Sequence, residues 1–220
     1  TTREVFEWEK SGFGDGNDLG NFTQDTGNVD VSFKILSQSS ASETEQSDDE
    51  QNIQNIDGDG DYIDDDSSLS NVLNGNGNSA DYELKFSNSV EDVSFRINDI
   101  DGDGVVRVKA YNAAGEQIVV FLEGGSNLTL KDTDGVAGND TADSNGGYLD
   151  DTSEEYSLLV SISGPVARIV IEHDQNGGNN SGINITDVYF DAPVVDDGLD
   201  GDDYLKGGKG DDTIFGEGGD

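Results

Sequence analysis

The chain has 220 residues, 48 of them Asp or Glu against 11 Lys or Arg, for a formal charge of −37. Such a charge repels nucleic acid and anionic membrane surfaces. Hydrophobic residues make up 32%, and no apolar run reaches spanning length, so membrane insertion is not expected. With no Cys, stability outside a cell has to come from a core, from metals, or from both.

Taken in order, the elements are strands. VFEWE (residues 5–9) alternates, placing Phe6 and Trp8 on an inner face and Glu7 and Glu9 outward. VDVSFKIL follows, also alternating. Residues 37–50, SQSSASETEQSDDE, carry no apolar anchor except Ala41 and read as a mobile surface loop. DYELKF, DVSFRI, VVRVKAY, QIVVFL, NLTL, YSLLVSI, VARIVIEH and INITDVYF then show period-two patterning or β-branched runs between turn residues. About ten strands without an amphipathic helix point to an all-β, antiparallel β-sandwich of the jelly-roll kind.

Acidic loops interrupt the strands. In NDIDGDGVV, Asp99, Asp101 and Asp103 fall at i, i+2, i+4 with Gly104 next. Alternate carboxylates in a tight loop converge on one hard cation, and this is the first half of a D-x-D-x-D-G calcium loop. Arg107 and Ala110 stand where the later ligands of an EF-hand belong, so the remaining ligands must come from elsewhere. IDGDGDYIDDD repeats the spacing with Asp57, Asp59 and Asp61, with Asp64 behind them. KDTDGVAGNDTAD offers Asp132, Asp134 and Asp140, as consistent with a plain turn cluster as with a cation site. A solvated acidic surface accounts for much of the remaining charge.

Chemistry beyond cation binding is sparse. The one His, His173, ends a strand and reads as structural. There is no HExxH, nucleophile elbow or phosphate loop. Carboxylate pairs abound, which leaves a glycosidase open. Sugar recognition needs aromatic platforms beside amides and carboxylates. Tyr62, Tyr111 and Tyr148 lie near loops, and EHDQNGGNNSG (172–182) is rich in amides; strand-end or rim packing explains the tyrosines equally well. Trp8 is assigned to the core.

The C-terminal residues repeat with a period of nine. GLDGDDYLK (198–206) is followed by GGKGDDTIF (207–215) and then GEGGD. The middle unit fits G-G-x-G-x-D-x-U-x throughout, with Asp212 acidic and Ile214 apolar. The first unit carries Leu199 in place of a Gly, with Asp203 and Leu205 in phase. These units resemble the RTX family, whose parallel β-rolls bind calcium between stacked turns, so the resemblance implies calcium ligation by Asp203 and Asp212. It also implies a secreted bacterial protein exported by a type I system. Two units and a fragment are too few for a stable stack, so the chain is expected to be a piece of a longer polypeptide, and the lack of Met agrees. The expected division is a calcium-binding sandwich over 1–192 and a linker with truncated repeats over 193–220.

The sandwich part weakly resembles the galactose-binding type of jelly-roll carbohydrate-binding module. That resemblance rests on Glu7 and Glu9 in the first strand and Asp187 in NITDVYF. It implies that these three hold a structural calcium joining the first and last strands. Three readings stay open: a calcium-dependent recognition module for extracellular polysaccharide, a calcium-stiffened spacer or cap for the β-roll, and a polysaccharide-degrading domain. No organic cofactor or catalytic residue is assigned.

Overall fold

A computed structural model describes residues 1–60 and 62–194. They form fifteen strands and two short 3₁₀ turns. The strands are β1 (Thr2–Phe6), β2 (Phe22–Asp25), β3 (Asp30–Gln38), β4 (Ser42–Ser47), β5 (Ser68–Leu73), β6 (Ser79–Asn98), β7 (Gly104–Tyr111), β8 (Gln117–Ile118), β9 (Phe121–Gly124), β10 (Leu128–Lys131), β11 (Thr141–Ser144), β12 (Leu158–Ile162), β13 (Val166–Gln175), β14 (Ser181–Thr186) and β15 (Val188–Ala192). Every pairing between them is antiparallel. The all-β antiparallel expectation holds. No helix among the described residues is long and apolar enough to cross a membrane.

The 20-residue β6 organises the molecule. Its first half lies between β3 and β13, with Leu84 opposite both Phe33 and Ile169. Its second half lies between β12 on one side and β14 and β15 on the other. The transfer falls between Val90, paired with Val166, and Glu91, paired with Asp191, and Asp92 takes φ +45° just after it. DYELKF and DVSFRI, read above as separate strands, are the two ends of this one ribbon.

Two layers result. One runs β2-β3-β6-β13-β7-β11-β10, and the other joins β9-β12-β6 to β14-β5-β4 and to the terminal pair β15-β1. Alternation drives the packing: β7 buries every second residue from Gly104. Trp8 meets Phe33 of the opposite layer edge-on at 5.1 Å, and Phe86 meets Phe190 at the same separation. Full burial of each such ring is worth roughly 1.5–3 kcal/mol. Trp8 is core as expected, its indole Nε1 donating to Thr186 O at 2.9 Å.

Two local expectations are corrected. Residues 37–50 are not a mobile loop: β3 runs through Gln38, and β4 pairs in register with β5. β4 buries Ser42, Thr44 and Gln46, polar residues facing a polar seam rather than an apolar core. Asn71 Nδ2 donates to Ser42 Oγ and Glu43 O, and Thr44 Oγ1 bonds Tyr82 OH across the layers at 2.5 Å. Each pairing meets the requirement that buried polar groups be satisfied. The alternation of VFEWE also stops early. β1 ends at Phe6, and Trp8–Ser11 is a 3₁₀ turn ending at Gly12 with φ +83°, so Glu7, still extended, stands just before the turn and Glu9 lies on it, neither on a strand.

Candidate functional site: two carboxylate clusters

The first cluster joins the ends of the fold. Asp187, between β14 and β15, is 1% exposed. Its Oδ1 accepts from Trp8 N at 3.0 Å and from Ser67 Oγ at 2.6 Å. Burial pushes its carboxyl up to about 8, reinforced by the charges of Glu7 and Asp64, while the two hydrogen bonds work the other way. Glu9 N donates to the same Ser67 Oγ at 3.2 Å. The carboxylate oxygens of Asp64, Asp65 and Asp66 lie within 4.8 Å of one another. Lys10 pairs with Glu7 and feels Glu9 and Asp187 as well. The structure thus brings Glu7, Ser67 and Asp64 near Asp187, whereas Glu9 is exposed and touches Ser67 only through its backbone N–H, and the oxygens of Glu7, Glu9 and Asp187 do not converge within 4.8 Å.

The second cluster forms where the loop after β6 meets β14 and the residues before β12. Asp99 has φ +54°, a conformation that Asp tolerates better than most residues. Burial pushes its carboxyl up to about 8, and the charges of Asp101, Asp151 and Asp150 add to this. Its Oδ1 is buried and has no hydrogen-bond partner among the described residues. Asp101 is 8% exposed, and burial raises it to about 6 against the donated Gly182 N–H at 2.7 Å. Asp151 is raised too, by burial first and then by Asp49, while Asn184 Nδ2 donates to its Oδ2 at 2.8 Å. Among the described residues no Lys or Arg forms an ion pair with these three. The oxygens of the three do not all converge within 4.8 Å of one another, but Asp99 and Asp151 lie within hydrogen-bonding reach and Asp101 adds its charge, so without a cation these desolvated carboxyls favour the protonated form.

Other candidates separate. Asp103 does not join Asp99 and Asp101: its Oδ2 accepts from Asn179 N at 2.7 Å, tying the loop to residues 176–180. Asp57 and Asp59 are exposed; Asp59 N donates to Asp57 Oδ1 at 3.0 Å in a local turn, and Arg3 Nε holds Asp57 O at 3.1 Å. Asp61, Asp203 and Asp212 lie outside the described residues. Asp132, Asp134 and Asp140 do converge within 4.8 Å. Each already accepts a local N–H, however, from Gly135, Val136 and Thr133 respectively, and Arg107 lies 3.8 Å from Asp140.

The sugar-platform residues are committed unequally. Tyr62 is 78% exposed. Tyr148 OH donates to Asn180 O at 2.8 Å, and the Arg168 guanidinium sits 4.1 Å over the ring of Tyr111. Amides of 172–182 are spent on their own and the neighbouring loop, Gln175 donating to Asn179 O and Gly75 O and Asn180 Nδ2 to Asn74 Oδ1. His173 is fully buried between Asn71 Oδ1 at 2.6 Å and Ser181 Oγ at 2.8 Å, and burial drives its pKa down to about 3. It is a neutral core residue.

Sequence reasoning missed Asp151, Asn184 and Ser67, and read Asp64–Asp66 only as the end of the 57–66 acidic stretch. Asp151 and Asn184 stand 52 and 85 residues beyond Asp99 in the chain, and nothing local marks them among so many acidic and amide residues.

An all-oxygen set of carboxylates, an amide and a hydroxyl matches what calcium accepts and a thiophilic metal does not. The buried, partnerless Asp99 Oδ1 supplies the fit that the second cluster needs.

No protein-family profile and no curated protein matches the sequence. Among solved structures, the chain is similar to the K2 cleaved adhesin domain of Lys-gingipain, at 15% identity and a TM-score of 0.41, covering 86% of this chain and 99% of that one. TmCBM61, solved with β-1,4-galactotriose, aligns at 11% identity and TM-score 0.35 over 72% of this chain and 88% of that one. The enzymatically active domain of bacteriophage CBA120 tailspike protein 4 aligns at 12% and 0.34 over 74% of this chain, which spans only 19% of that one. Likeness at this level does not extend to any ligand-binding residue.

Proposed function

We propose that residues 1–192 are a calcium-dependent, non-catalytic recognition module of the jelly-roll type. It binds extracellular polysaccharide as part of a larger secreted protein whose repeats begin within 193–220. The observation that supports calcium most directly is Asp99: a buried carboxylate oxygen without a partner, beside Asp101 and Asp151 and without an ion-paired cation. Asp99, Asp101, Asp151 and Asn184 hold one ion, and Asp187 with Glu7 and Asp64 holds a second at the seam between the first and last strands. Bound calcium neutralises these clusters and fixes the loops around them. The chain's own residues set which loops are fixed: Gly182 N orients Asp101, and Asn184 orients Asp151.

A spacer role is the second reading, and it draws on the amides of 172–182 being spent within the protein. Isothermal calorimetry with calcium, followed by a glycan array with and without EDTA, tests both. Calcium binding with calcium-dependent glycan capture is expected. Calcium binding with no capture on a broad array would leave the spacer, and absence of calcium binding would remove both.

A further inference from the structure

A pocket of about 290 Å³ opens between the turn after β9 and the 3₁₀ turn Glu154–Tyr156. Glu123, Gly125 and Ser126 line one side, Glu154 and Glu155 the other, and the buried Arg96 lines it from β6. The two sides are fastened by Gly125 N to Ser157 O at 2.9 Å and Asn127 N to Glu155 O at 3.0 Å. Only glycine fits at 125, since a Cβ there would stand 2.0 Å from Glu154 O. The wall is therefore closely built.

Arg96 is 7% exposed and fixed in place. Its Nε donates to Gln54 O and its Nη1 to Ser157 Oγ at 2.7 Å. Ser157 Oγ in turn donates to Asn98 Oδ1 at 2.6 Å, and Asn98 Nδ2 to Gln51 Oε1 at 3.2 Å. No described residue takes a hydrogen bond from Nη2. The pocket thus combines one immobilised cationic donor with three carboxylate acceptors and two serines, Ser126 and the already bonded Ser157.

We propose that this pocket is a hydrogen-bonding subsite for a single neutral pyranose unit, an assignment that rests on the recognition-module reading and gives it a location. A sugar hydroxyl both donates and accepts, so adjacent hydroxyls satisfy Glu123 or Glu154 on one side and Arg96 on the other. A bare metal cation is disfavoured by the guanidinium within the same pocket. An acidic sugar meets three carboxylates and a chain of charge −37. The volume lies at the lower end of the range for ligand sites, about 300–1,000 Å³, which suits one ring. No aromatic residue lines the pocket, so stacking does not contribute and orientation comes from polar contacts alone.

The test is an amide-and-guanidinium NMR titration of the protein in millimolar calcium with neutral methyl pyranosides, glucuronate and glucosamine, alongside a glycan array. Expected are saturable shifts at residues 123–126, 154–157 and Arg96 Nε with at least one neutral pyranoside and none with glucuronate. The exposed-site double variant Glu123→Gln/Glu154→Gln should weaken that binding tenfold or more while keeping the calcium titration intact. Saturable neutral-sugar shifts elsewhere would overturn the pocket and leave the recognition module standing. Tighter binding of glucosamine than of any neutral sugar would overturn the neutral class in favour of a cationic ligand. Silence from every sugar together with an empty array would remove the recognition reading itself.

Discussion

The loops 57–66 and 99–104 begin with the same Asp-x-Asp-x-Asp spacing, yet they behave as opposites. In the first, Asp57 and Asp59 face solvent, and one carboxylate serves only to close its own turn. In the second, Asp99 and Asp101 are drawn under β14 and against Asp151, and the third carboxylate leaves to hold another loop. Carboxylate spacing along the chain thus decides little. What decides is whether a second segment arrives opposite: Gly182 from β14 meets Asp101 in the 99–104 loop and Asn184 meets Asp151 beside it, whereas the exposed 57–60 turn meets a basic side chain, Arg3, at its backbone.

The sharpest way to break this contrast is at the glycines. Gly102 has φ +52°, and a Cβ there would lie 1.8 Å from Asn180 O, while Gly60, at φ +84°, has open space. Gly102→Ala should cost on the order of 3 kcal/mol or more by chemical denaturation, from overpacking against backbone together with left-handed strain. Gly60→Ala should cost only the strain, about 1–2 kcal/mol. Equal costs would mean that the two loops are equally free.

Calcium comes next in size. Each site that binds only the folded state adds about 2.7 kcal/mol at a hundredfold excess over Kd, and about 2–4 °C of Tm accompanies each kcal/mol in a protein of this length. Differential scanning fluorimetry with and without EDTA should show that gain. Asp99→Asn should lower Tm in calcium, by removing a ligand, and raise it in EDTA, by removing a carboxyl that must take up a proton to stay desolvated in the fold. Asp59→Asn, on the exposed loop, should move neither value by more than about 0.5 kcal/mol.

The last effect is the pH slope of the metal-free protein. The carboxyls of Asp99 and Asp187 sit near 8 in the fold, against about 3.9 unfolded. Between those values the folded state binds more protons, so stability is full below pH 4 and falls as pH rises toward 8, by up to about 1.4 kcal/mol per unit for each group. His173, near 3 in the fold, opposes this below its unfolded pKa of about 6.5, where the unfolded chain binds the extra proton. Urea melts in EDTA from pH 6.5 to 8 should therefore show declining stability, and calcium should flatten the decline. A flat profile in EDTA would mean that neither cluster is desolvated as described.

Much of the fold was legible because alternation is local. β7 and β3 follow VVRVKAY and VDVSFKIL almost residue for residue. β4 escaped because its inward residues are Ser, Thr and Gln, whose burial makes sense only once Asn71 and Tyr82 are seen opposite. The continuity of β6 escaped because Ser87–Ser89 reads as a turn while the strand bends there. Of the proposed ligands, Asp99, Asp101 and Asp187 were visible as residue types in context. Asp103, Asp57 and Asp59 matched the same pattern, and Asp151 matched none. Long-range partners supply the difference, and nothing in the spacing of a single chain encodes them.

The terminal pairing has a mechanical consequence. Thr2 lies opposite Ala192 and Phe6 opposite Val188, so the described chain enters and leaves within one interstrand distance, about 5 Å. Tension across those two points peels the ladder rung by rung instead of shearing five rungs at once. The peeling front then runs into the Trp8–Asp187 contact at the inner end, where an ion bound by Asp187 would act as the rivet that arrests the tear.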